Sequence, residues 1–196
     1  MTSAYKYPEL EINGLQARAM KAAAHVLEIN GVDGLNLRAI AAEARIGIAS
    51  MYHYFKSKDE ILLGLALEGF EDLRHDMLRK QACLEFAASP SRGAAKAYFD
   101  FIEARPALFS VMCSERLAAS YPELRAAEYR MFQTYEAAVV KDDRVAAPYR
   151  QNVAYALWAL GRGMAAIRGS YPDGVLPPDI SLRLAAGVRY LIDRAD

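Results

Sequence analysis

Apolar residues recur at steps of three and four along most of the chain, in stretches of roughly ten to twenty residues that stop at proline or glycine. Leu15, Ala19, Ala22, Val26 and Ile29 form the first stripe, closed by Asn30-Gly31. Leu37, Ile40, Ala41 and Ala44 form a second, with Asn36 positioned to cap it. Ser57-Lys58-Asp59-Glu60 has the form of a capping box, and Leu62, Leu65, Gly69, Leu73 and Met77 mark the buried side of a long helix after it. Further breaks fall at Ser89-Pro90, Arg105-Pro106, Tyr121-Pro122, Ala147-Pro148 and the stretch from Tyr171 to Pro178. No segment alternates with the period of a strand, and no Asn-Gly turn joins two apolar runs. The spacing predicts an all-α fold of about nine helices. Three short ones come first, a long connector follows, and a larger bundle completes the chain. The expected division is residues 1–57 and 58–196.

Composition narrows the partners. The chain holds 24 basic and 24 acidic residues, so it has no overall charge to attract a polyanion; any basic surface must be local. No stretch is long and apolar enough to span a bilayer, and the start, MTSAYKYPELEI, has no leader-like apolar core. Cys83 and Cys113 fit no paired-cysteine or zinc spacing and read as reduced core thiols of a cytoplasmic protein.

The local charge appears in residues 36–58. There Arg38, Arg45, Lys56 and Lys58 stand against the single carboxylate of Glu43. The same segment reads as a short helix (37–44), a tight turn (45–47) and a second short helix (48–54). Leu37, Ile40, Ala41, Ala44, Ile46, Met51 and Phe55 can hold this pair against the first helix. Arg38, Ile48, Ala49, Ser50, Tyr52 and His53 are then left outside. An exposed short helix flanked by cations suits DNA: the cations contact phosphates and the helix reads base edges. Tyr54 and Phe55 are expected in the core.

NLRAIAAEARIGIASMYHYFKSKDEIL, residues 36–62, resembles the DNA-binding signature of the TetR family of transcriptional regulators. That resemblance implies an all-helical homodimer with an N-terminal DNA-binding head and a C-terminal body for ligand and dimerisation. It also implies repression at an inverted-repeat operator and release by a small molecule. The residues matching the DNA-contacting part are Arg38, Arg45, Ile48, Ala49, Ser50, Tyr52, His53, Lys56 and Lys58. Three positions depart from the family pattern. Arg45 stands where the turn usually has glycine, Gly47 replaces a serine-type cap, and Ile48 replaces a polar or basic residue. The leading edge of the second helix is therefore apolar, so readout is expected from thymine methyls and from Ser50, Tyr52 and His53.

The second half is rich in rings. Phe101, Met112, Phe132 and Trp158, with Arg162 as a basic anchor, are the expected walls of a site for a small, largely apolar effector. The piece from Ala104 to Met112 resembles a motif of a subgroup that also carries Trp-x-x-x-His-Gly; here Arg162 occupies the histidine position. Gly161, Gly163, Leu184, Val188 and Leu191 are the expected dimer contacts, since small residues allow close helix approach. No cofactor, metal or catalytic residue is expected. His25, His53 and His75 and the two cysteines form no nucleophile–base or metal pattern, and there is no glycine-rich phosphate loop. Two other readings stay open: a helical protein-interaction module without DNA binding, and an enzyme whose site assembles only in space.

Overall fold

A computed structural model describes residues 14–171 and 176–193, with side chains throughout except at 169, 185 and 188–193. The described residues form α-helices joined by turns and contain no strand. The chain divides into two compact units, Met1–Ile61 and Leu62–Asp196.

The first unit holds α1 (Gly14–Gly34), α2 (Leu37–Ala44), α3 (Ile48–Tyr54) and the start of α4 (Lys58–Gln81). α1 buries Ala19, Ala22, Ala23, Val26 and Leu27, the spacing of one helical face. Leu15 and Ile29, expected on that face, are exposed instead. The stripe turns toward Ala23 and Leu27 because helical residues drift around the axis with a repeat of 3.6. Helical geometry fails at Gly31, whose φ of 65° and ψ of −176° only glycine adopts readily. Asn36 caps α2 by accepting from the Ala39 amide at 3.0 Å. Ile40, Met51 and Phe55 are buried between the helices, while Tyr54 is only half-buried.

The second unit continues α4 and adds α5 (Pro90–Ala104), α6 (Pro106–Met112), α7 (Glu115–Ser120), α8 (Pro122–Val140), α9 (Arg150–Gly169) and α10 (Pro178–Asp193). α4 buries Leu62, Leu65, Ala66, Phe70, Leu73 and Met77. α5 is buried on most sides, through Ala94, Ala95, Ala97, Tyr98, Phe99, Phe101 and Ile102, and packs with α6, α8 and α9. Its one remaining face is a charged stripe of Arg92, Lys96, Asp100 and Glu103, with the rest turned into the bundle. Prolines start α5, α6 and α8, where the missing amide is no loss. The thiols are not core pairs: Cys83 is exposed, and Cys113 is half-buried with its thiol pushed up to about 11 by burial.

Candidate functional site

The turn between α2 and α3 is a Schellman motif. Arg45 is left-handed at φ 55° and ψ 47°; its amide donates to Ala42 at 3.2 Å, and the Ile46 amide donates to Ala41 at 2.9 Å. Arg18 reaches over from α1 and donates to the Ala44 carbonyl at 2.8 Å, placing a cation at the negative end of α2. His25 pairs with Glu43 at 2.8 Å and ties the same two helices. These contacts fix the angle at which α3 leaves the turn. Gly47 offers no side chain to cap α3, and Met51 and Phe55 anchor the helix by burial alone.

A left-handed arginine costs about 1 kcal/mol relative to glycine. Arg45→Gly is therefore expected to stabilise the head by about that amount. Urea unfolding of the full chain and of the variant checks the direction.

With α3 so fixed, Ile48, Ala49, Tyr52 and His53 face solvent, Tyr52 at 64% exposure, and Ser50 is half-buried. The His53 ring meets Tyr54 edge-on at 5.4 Å. Arg38, Arg45 and Lys56 are exposed, and among the described residues no acidic side chain pairs with them. Lys58 differs: its ammonium donates to the Val32 carbonyl near the end of α1. That leaves two further donors on the nitrogen. The capping box at α4 is shifted by one residue. Ser57 Oγ accepts from the Glu60 amide at 3.1 Å, but Glu60 reaches back to the Lys56 amide at 2.7 Å.

In the second unit the residues expected to line an effector site fall into three settings. Met112 packs over Gly69. Phe101 lies under the Arg105 guanidinium at 5.0 Å and lines a surface depression with Asp76, Lys80 and Asp100. Phe132 and Trp158 stand 6.4 Å apart, and the void behind them, shared with Met77, Tyr98, Met131 and Tyr135, measures only about 10 Å³. In front of the same two rings is an open cavity of about 210 Å³, lined also by Arg125, Glu128, Tyr129 and Tyr155. Tyr129 and Tyr155 are exposed. Helical spacing could not reveal them, since both rings lie at the border of their buried stripes. Arg162 is fully engaged, donating to the Cys113 carbonyl at 3.2 Å and to Glu115 at 2.6 Å.

Of the residues expected at a dimer contact, Gly161 faces inward against Tyr98, whereas Gly163 faces open space. Leu184 is half-buried; the side chains of Val188 and Leu191 lie outside the described residues. Among the described residues no cluster of histidine, cysteine or carboxylate could hold a metal, and no helix is long and apolar enough to cross a membrane.

Residues 19–65 match the family of bacterial regulatory proteins, tetR family. Solved structures share the fold over nearly the whole chain. One is the transcriptional regulator SCO7222, a TetR from Streptomyces coelicolor, at 20% identity and TM-score 0.56, covering 92% of this chain and 86% of that one. Another is the multidrug binding protein EbrR complexed with proflavin, at 18% identity and TM-score 0.56, covering 93% of this chain and 99% of that one. A third is AibR in complex with isovaleryl coenzyme A and operator DNA, at 15% identity and TM-score 0.59, covering 89% and 95%. Comparison with curated proteins finds no match. The helix-turn-helix head at residues 19–65 thus matches the tetR family of bacterial regulatory proteins, and the chain shares the all-α fold of these solved structures.

Proposed function

We propose that this chain is a DNA-binding transcriptional repressor that acts as a homodimer on an inverted repeat and is released by a small molecule. The observation that carries the reading is the solvent face of α3. Ile48, Ala49, Tyr52 and His53 are presented outward, and the unpaired cations Arg38, Arg45 and Lys56 flank them. Phosphate contacts from such cations supply affinity, and the short helix supplies base readout in the major groove. Dimerisation is supported by the outer face of α9, where Ala156, Ala159, Gly163, Ala166 and Ile167 are exposed in one stripe, and by Leu182 on α10, which is also exposed. The structures sharing the fold give precedent for effectors, one being complexed with proflavin and another with isovaleryl coenzyme A and operator DNA.

Selection from random DNA is expected to return an inverted repeat with half-sites about one helical turn apart, roughly 34–36 Å. Lys56→Ala should weaken binding to all sequences alike and lower the salt slope by about one contact per subunit. Tyr52→Ala or His53→Ala should instead change sequence preference. Lys58→Ala should act on salt dependence and on head stability together, since the Val32 carbonyl loses one of its two donors and keeps only the Leu35 amide. Failure to enrich any fragment, with the protein folded, would favour the interaction-module reading.

A further inference from the structure

A carboxylate already sits between two arginines, of which Arg125 lines the aromatic cavity and Arg162 lies over the ring of its Trp158 at 5.6 Å. Arg125 from α8 donates to Glu115 Oε2 at 2.6 Å, and Arg162 from α9 donates to Glu115 Oε1 at 2.6 Å. Glu115 opens the six-residue helix α7 and is 66% exposed, so nothing buries it in that position. The hydrogen bond from Arg125, and then the charge of Arg162, hold its carboxyl below the ordinary value. Two guanidinium forks from different helices thus converge on one exposed, displaceable carboxylate, a geometry suited to planar oxyanions.

The cavity beside this pair is aromatic. Tyr129 and Phe132 stack at 6.3 Å, Phe132 and Tyr155 stand 4.9 Å apart, and Tyr155 meets Trp158 edge-on at 6.4 Å. Glu128 fixes the far wall: it accepts from Trp158 Nε1 at 3.0 Å and lies 3.5 Å from Arg162 Nε. The charge balance selects among ligands. Arg125 and Arg162 are matched by Glu115 and Glu128. When Glu115 swings into solvent, the remaining three groups carry one excess positive charge. A cationic ligand gains nothing there, because Glu128 is already satisfied by Arg162 and Trp158.

We propose that this cavity binds an aryl carboxylate, a planar acid of about two fused rings. Its carboxylate takes the place of Glu115 on Arg125 and Arg162, and its rings lie among Tyr129, Phe132, Tyr155 and Trp158. Glu115 is then a tethered competitor that sets the affinity: the arginines are free only for the fraction of time that it is away. The site deepens the effector part of the proposed function, and only its link to DNA release rests on that reading.

Calorimetric titration of the full chain with 2-naphthoate tests the site, with 2-naphthamide and 2-naphthylmethylammonium as neutral and cationic matches. The acid should bind well ahead of both. Glu115→Gln should tighten it about tenfold by removing the competitor, and Arg125→Gln should weaken it by about tenfold or more. Both side chains are exposed, so both variants should fold. Equal or tighter binding of the cation would overturn the proposal. So would an unchanged or weaker affinity in Glu115→Gln, or no binding of the acid to either form. Retention of a selected DNA fragment is measured separately. Loss of DNA binding in every condition counts against the regulator reading while the calorimetry still decides the site.

Discussion

Replacing Gly161 by alanine is expected to destabilise the body by about 2 kcal/mol, a fall of roughly 4–8 °C in its thermal midpoint. A Cβ at this position would overlap the Tyr98 hydroxyl and the ring carbons beside it. Tyr98 has nowhere to go. It is 2% exposed and is held edge-on by Phe99 at 5.4 Å and by Phe109 at 5.6 Å. Overpacking of this kind costs about 3 kcal/mol, and alanine returns about 1 kcal/mol through helix propensity. Tyr98→Phe in the same background removes the atom nearest the new methyl and should restore part of the loss. Gly163→Ala is the control: no atom lies within 4 Å of its would-be Cβ. Because Gly163 also lies in the α9 stripe proposed for dimerisation, any loss it causes should vary with protein concentration, whereas the Gly161 loss should not. Equal losses at the two glycines would mean that the close approach of α9 to α5 is not what requires Gly161.

The two glycines also mark where sequence reasoning stops. Both suggest close helix approach, and a helical wheel separates them by 200°, but nothing in the spacing says which faces the monomer's own core. The helices themselves were legible, because proline breaks and the Asn36 and Ser57 caps are local signals acting through adjacent amides. The head's outer face was legible for the same reason: once Met51 and Phe55 are inside, Tyr52 and His53 must point out. Local rules did not reach the Lys58 bond to Val32, which joins residues distant in sequence. Nor did they reach the body's ring cluster. Ring density suggested an enclosed site between Phe101, Met112, Phe132 and Trp158, but tertiary packing gave Phe101 and Met112 to other neighbours. What remains is a cavity outside Phe132 and Trp158, with Arg162 held by a glutamate that no motif brings forward.

Asp142→Ala is expected to lower stability at neutral pH by about 3 kcal/mol, and this gap should shrink in acid. Asp142 is fully buried just beyond the end of α8, yet it serves the start of α5. Its Oδ2 accepts from the Ser91 hydroxyl at 2.6 Å, the Ser89 hydroxyl at 3.0 Å and the Ser91 amide at 3.3 Å. Its Oδ1 accepts from the Arg144 amide at 3.2 Å and from Arg144 Nε at 3.3 Å. Ser89, the residue before α5, makes no side-chain cap of its own, so this distant carboxylate satisfies an amide and meets the positive end of the helix. Alanine would strand the buried Ser89 and Ser91 hydroxyls and take one acceptor from the Arg144 guanidinium. Burial pushes the Asp142 carboxyl up, but the bonds from Ser91, Ser89 and Arg144 outweigh it and hold the value below the ordinary 3.8. The unfolded chain therefore takes up this proton first as pH falls. The contribution is complete above the unfolded value and is lost as pH drops toward and through the native one. Urea unfolding of wild type and Asp142→Ala from neutral pH to about pH 3 should show the two curves converging at the acid end. A gap that stays constant over that range would mean that the carboxylate's charge contributes nothing to holding α5 and α8 together.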